Sequence, residues 1–227
     1  KCQPVTLMFT IAGVDWPRVE QFKKEYAAKY PGHSNFKLDK VYEEAQKNGD
    51  MEPYQSGNMG WWWTPSRPEW VGVNFTHIIY VDTTKAADLT RATMEGRDQA
   101  YKTIDVYRKY IPGMEKCYMV STPNTVGLRE SRRIMGEYKL TEDDIKSQRE
   151  FEDGICYGSF FVDIHNIDGP GMSPTCWRPP KGFKYHIPYR CLVPLKVDDL
   201  LVAGRCVSCT HIAHGSIRVM VPCIAMG

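Results

Sequence analysis

The stretch VTLMFTIAGVDWPRVEQFKKEYAAKY, residues 5–30, sets the class of the fold. Its first ten residues are rich in β-branched and aromatic side chains and predict a strand over Val5–Val14. Trp16-Pro17 breaks that strand, and Pro17 suits the first turn of a helix, where its missing N–H costs nothing. Val19, Phe22, Tyr26 and Tyr30 then recur at steps of three and four, the spacing of one apolar helical face. Pro31-Gly32 ends the helix.

The same alternation continues outward. A polar helix is expected from Phe36 to Lys47, and residues 50–70 read as irregular, holding Tyr54, Trp61, Trp62, Trp63 and Trp70 among prolines and glycines. Val71–Val81 predicts a strand. Leu89, Thr93, Gly96, Ala100, Ile104, Tyr107 and Ile111 define the clearest amphipathic helix, with Asp88 or Thr90 as candidate cap. Cys117–Thr122 reads as a short strand and Thr125–Tyr138 as extended chain. Thr141-x-x-Asp144 is a capping-box variant that should start a helix near Glu142. Ser159–His165 and Tyr185–Pro194 read as strands, Leu200–Ala203 as a buried strand, and a helix is expected to open near Gly215–Ile217. The class is α/β, with strands and helices mixed.

Composition narrows the function classes. The 227 residues are 42% hydrophobic and 25% charged, an ordinary globular balance. With 29 Lys+Arg against 27 Asp+Glu, nothing points to a nucleic-acid partner. No apolar run is long enough for a membrane span. The eight cysteines are scattered, several in apolar contexts, which favours buried free thiols and a reducing, cytoplasmic compartment. The chain opens on Lys1 and closes in a small-residue stretch, so it reads as a piece of a longer protein.

Four constellations carry candidate chemistry. Cys206-x-x-Cys209-x-His211-x-x-His214 has ligand-type residues, but Cys209 and His211 are too close for two knuckles to close on one ion, so no metal is expected. A redox dithiol and a pair of buried thiols stay open there. Arg129-Glu130-Ser131-Arg132-Arg133 sits between apolar flanks, and on a strand it would present Arg129, Ser131 and Arg133 on one side, as anchors for phosphate or carboxylate or as structural ion pairs. Trp61-Trp62-Trp63 can stack a sugar ring or pack a loop onto a core, which leaves a non-enzymatic carbohydrate-binding module as the alternative function. Gly204-Arg205 followed by His214-Gly215-Ser216-Ile217-Arg218 has the layout of an anion or cofactor site before a helix. No Gly-x-Gly-x-x-Gly, P-loop or nucleophile-elbow motif occurs.

The segments GLRESRRIMGEYKLTEDDI (127–145) and LLVAGRCVSCTHIAHGSIRVMVPCIAMG (200–227) resemble the bacterial FAD-dependent oxidoreductases of the two-dinucleotide-binding-domain flavoprotein superfamily. Further similar strings are TLMFTIAGVD (6–15), LTRATMEGRDQAY (89–101), FVDIHNIDGPG (161–171) and YHIPYRCLVP (185–194), so the resemblance spans nearly the whole chain, with 16–70 its weakest, insertion-like part. The resemblance implies a substrate or cap region over 1–115 and the C-terminal portion of an FAD-binding domain over 116–227. It implies FAD as cofactor, a preceding Rossmann segment with the glycine fingerprint, a small-molecule substrate and hydride transfer to the flavin; the tryptophan reading makes carbohydrate one class of partner. Carried over residue by residue, Gly204, Arg205, His214, Gly215, Ser216 and Arg218 would line the flavin; Arg129 and Arg133, from the strand reading above, are the further candidate cofactor-binding residues. His165 and His214 are the candidate catalytic bases, since imidazole titrates in the useful range.

Overall fold

The computed structural model describes residues 2–33, 37–52, 60–64 and 66–227. The start of the second expected helix and Tyr54 lie outside the described residues. The chain divides into two compact units, one of Gln3–Leu128 with Asp168–Gly171, the other of Arg129–Ile167 with Met172–Gly227.

The first unit is built on a four-stranded antiparallel sheet of order β2-β3-β1-β4, with β1 Phe9–Ala12, β2 Gly60–Thr64, β3 Arg67–Asn74 and β4 Tyr118–Ser121. Register sets its packed face. Phe9 pairs with Val73, Ile11 with Val71 and Trp61 with Val73, and directly opposed residues share a face. All five are buried. Three helices complete the core, α1 Trp16–Lys29, α2 Asp39–Lys47 and α3 Ala86–Tyr110, through residues such as Val19, Tyr42, Ile104 and Tyr107. Asp15 caps α1 by accepting from the Arg18 N–H, ahead of the proline. Gly96 lets α3 lie close on the chain entering β1, because a Cβ there would stand 2.8 Å from Leu7 Cβ.

Three expectations are corrected here. Residues 60–64 and 67–70, expected to be irregular, belong to the paired antiparallel strands β2 and β3. The strand expected over 71–81 ends at Asn74; its remainder holds the Ile78–Val5 bridge, and the Thr76 hydroxyl accepts from the Leu7 N–H and donates to the Leu7 carbonyl. Neither Asp88 nor Thr90 caps α3: Lys85 is its N-cap without a side-chain bond, while Asp88 accepts from the Asp82 N–H and the Thr90 hydroxyl donates to the Ala86 carbonyl.

The second unit pairs β5 Gly154–Gly158 with β6 Tyr185–Pro188, antiparallel, and carries short helices α4 Glu142–Lys146, α5 His211–Ile217 and α6 Met220–Met226. Thr141 and Asp144 form the expected capping box on α4. Thr210 caps α5 by accepting from the Ala213 N–H, and its hydroxyl donates to Glu142, tying the start of α5 to α4. Residues 134–140 thread between two neighbours. Ile134 and Leu140 donate to the carbonyls of Cys206 and Ser208, while Glu137 and Tyr138 donate to those of Val193 and Arg190.

Three further expectations fail in this unit. Residues 159–165 are not a strand; they hold only the bridges Val162–Trp177 and His165–Met172. Leu200–Ala203 is neither a strand nor buried, and Leu200 and Leu201 are 46% and 53% exposed. The C-terminal helix opens at Thr210, not at Gly215, which falls in the last turn of α5. Both helices of the region are seven residues long.

Candidate functional site

Asp163, His165, Arg218 and Arg129 form one cluster. Arg218 is the C-cap of α5, at the break before α6, and that position turns its guanidinium toward the 163–165 segment. Its Nη2 donates to Asp163 Oδ2 at 2.6 Å and to the Asp163 main-chain carbonyl at 3.1 Å. The other carboxylate oxygen stands 3.5 Å from His165 Nε2. The three side chains are partly buried, between 10% and 16% exposed. Burial pushes the Arg218 guanidinium below its usual range, against the pull of Asp163. Burial likewise pushes Arg129 down to about 10, with the neighbouring Arg218 charge acting in the same direction and Asp163 opposing it.

Gly215 is what brings helix and segment together. A Cβ at that position would lie 2.7 Å from Ile164 Cδ1 and 3.0 Å from the Asp163 carbonyl oxygen. Gly215 and Ser216 are fully enclosed, and the Ser216 hydroxyl donates to the Phe160 carbonyl at 2.5 Å while meeting the Tyr185 hydroxyl at 2.6 Å. The Ser216 proton is spent on the carbonyl, so Tyr185 is the donor to Ser216.

A second group surrounds Glu130. Its carboxylate accepts from Arg133 and contacts His211 Nδ1 at 2.8 Å. Burial alone would raise the Glu130 carboxyl, but the bonds from His211 and Arg133 outweigh it and hold it at about 2. His214 Nε2 donates to the Arg205 carbonyl at 3.0 Å, which leaves Nδ1 as the acceptor nitrogen. Desolvation pushes this imidazole down to about 4, so it is neutral at pH 7. The expected Arg-presenting strand is therefore corrected. Residues 129–133 lie outside any strand or helix, Glu130 and Arg133 meet each other, and Met135, in the apolar flank, is 70% exposed.

Of the residues singled out in the sequence, His165, Arg218 and Arg129 are brought together. Arg133 and His214 lie toward the Glu130 group, with Gly215 and Ser216 as the packed wall between helix and segment. Gly204 adopts a positive φ of 78° at the start of a 3-10 turn over Gly204–Cys206, and Arg205 and Cys206 are exposed. Asp163 was missed. Its signal was Asp163-x-His165 in an extended segment, where alternate side chains share a side.

The tryptophans divide. Trp61 is buried against Tyr107, its ring centroid 5.7 Å away, and Trp62 is exposed over Gly72, where a Cβ would run into the indole. Among the described residues no group of three or more His, Cys, Asp or Glu is arranged to hold a metal ion. No helix among them is long and apolar enough to cross a membrane.

A scan against protein-family models matches FAD dependent oxidoreductase over residues 1–227. The chain belongs to the FAD dependent oxidoreductase family. Neither the search of curated proteins nor the search of solved structures found a match. FAD is the cofactor this family uses. The chain offers residues that fit it. Arg218 Nε and His214 Nδ1 are buried without a hydrogen-bond partner among the described residues, a donor and an acceptor both awaiting one. Arg129, Arg133 and Arg218 outnumber Asp163 and Glu130 in the two groups, which suits a dinucleotide that is anionic and gains charge on reduction.

Proposed function

We propose that this chain forms part of an FAD-dependent oxidoreductase that takes a hydride and a proton from a small-molecule substrate, with His165 as the base. The observation that carries the reading is the Asp163–His165–Arg218 cluster beside Arg129. FAD supplies the hydride acceptor, its N5, when bound. Arg129, Arg133, Gly204, Arg205, His214, Gly215, Ser216 and Arg218 are the residues assigned to hold and flank it.

The roles follow from the contacts. Asp163 is a positioning residue: its carboxylate favours the His165 tautomer that carries the Nε2 proton, which leaves Nδ1 basic. His165 Nδ1 takes the proton of the substrate hydroxyl while the adjacent C–H bond gives up its hydrogen with the electron pair, leaving a carbonyl. His214 suits hydrogen bonding rather than proton transfer, because it is buried and holds its proton only below about pH 4. Arg129 and Arg218 favour the added negative charge by electrostatics. The assignment of 1–115 as substrate or cap region and 116–227 as the C-terminal portion of the FAD-binding domain belongs to this proposal. So do a preceding Rossmann segment of the same protein and a cytoplasmic location, the latter supported by eight free thiols. The sugar-stacking alternative draws little support, because Trp61 is spent on the core.

The test is to purify the full-length protein, quantify bound FAD, and follow flavin bleaching anaerobically with a panel of secondary alcohols and 2-hydroxy acids. H165Q should slow reduction by the best donor by about 100-fold or more while FAD content stays unchanged. A protein that retains no FAD, or an H165Q variant reduced as fast as wild type, overturns the reading.

A further inference from the structure

The first unit carries a groove of about 410 Å³ between the middle of α3 and the chain that follows β4. Its size is that of a small-molecule site. Leu89 and Met94 from α3 and Val126 from the opposing chain supply its apolar lining. Arg97 from α3 and Asn124 and Thr125 from the opposing chain line it as well.

The donors in the groove are uncommitted. Among the described residues Arg97 makes no ion pair and no side-chain hydrogen bond, and neither do the side chains of Asn124 and Thr125. The neighbouring charges of α3 do have partners: Arg91 pairs with Glu95, and Lys102 with Asp98 and Glu52. Arg97 is the exception on its helix. The hydroxyls of Thr90 and Thr93, also in the groove, donate to the Ala86 and Leu89 carbonyls, so their protons are spent. Donor capacity is thus concentrated at Arg97, Asn124 and Thr125. A guanidinium fork with an amide and a hydroxyl matches a carboxylate. Leu89, Val126 and the adaptable Met94 match an apolar body attached to it.

We propose that this groove binds an amphipathic monocarboxylate, the carboxylate on Arg97, Asn124 and Thr125 and the apolar body on Leu89, Met94 and Val126. The site lies wholly within the first unit and shares no residue with the Asp163 cluster, so it stands or falls independently of the proposed oxidoreductase mechanism.

The experiment is calorimetric titration of the full chain with octanoate, octanol and octylamine, which share one apolar body and differ in the head group. Octanoate should bind at least about tenfold tighter than octanol, the worth of one charged hydrogen-bonded contact, and octylamine should not bind. R97Q should reduce octanoate affinity to the octanol level, and N124A/T125V should weaken it in the same direction. Arg97 is exposed, so R97Q keeps the fold, checked by circular dichroism. H165Q should bind octanoate as wild type does. Equal affinity for the three probes, no octanoate binding, or unchanged binding by R97Q overturns the proposal.

Discussion

Arg218 holds Asp163 twice, by its carboxylate at 2.6 Å and by its main-chain carbonyl at 3.1 Å. One guanidinium thereby fixes both the side chain and the backbone of the residue that faces His165.

Breaking that pair from either end should be costly. D163N leaves Arg218 buried beside Arg129 with no carboxylate between them, and removing one member of a buried ion pair costs about 3–5 kcal/mol. Urea unfolding of D163N should show a midpoint well below wild type, and R218A should show a comparable loss. If both variants unfold within about 0.5 kcal/mol of wild type, the range of ordinary surface changes, the pair is not structural.

Gly215 should tolerate no side chain. G215A places a methyl against Ile164 and the Asp163 carbonyl, an overpacking worth about 1–3 kcal/mol. The displaced segment is the one carrying His165, so flavin reduction should fall further than stability does. Thermal melts and anaerobic reduction of the same preparation separate the two effects. A variant with wild-type stability and rate would place the close approach elsewhere.

Acid should destabilise the second unit in two windows. His214 is held down to about 4, so the unfolded chain binds the extra proton first; its contribution is complete above about pH 6.5 and is lost as pH falls toward 4. Glu130 is held at about 2, so its contribution is complete above its unfolded value near 4.5 and is lost as pH falls toward 2. Each window is worth on the order of 3 kcal/mol. Stability curves against pH should lose the upper window in H214Q and the lower one in E130Q. A single window that survives both substitutions would refute the assignment.

Thr141 should matter to one helix only. T141A removes an oxygen that accepts from the Asp144 N–H, and the cap is worth about 1 kcal/mol. Hydrogen exchange should quicken over 142–146 while α3 keeps its protection. Uniform quickening of both helices would mean that the box acts on global stability instead.

Periodicity made α3 legible, and a proline and a capping box marked the starts of α1 and α4, because these signals are local: positions recurring at steps of three and four, Trp16-Pro17, a Thr-x-x-Asp pair. The β2–β3 hairpin was hidden by its prolines and by three consecutive tryptophans, which no alternation rule separates until the partner strand places Trp61 inward. Leu200–Ala203 is apolar enough for a buried strand, and an apolar run does not say whether anything covers it. The site was half legible. His165 and Arg218 stood out as single residues, but their meeting depends on a glycine in the middle of a helix-to-segment contact, and Gly215 read instead as a helix opener.

The outward-facing Leu200 and Leu201 bear on how the protein behaves in a tube. In this stretch Val202 is tied back by its N–H to the Leu192 carbonyl, while the two leucines before it sit on the surface in extended chain. Adjacent exposed leucines are an apolar patch on which a second molecule can settle. Turbidity should therefore climb with concentration and with added sulfate, and a charge at Leu201 should restore clarity without touching the fold.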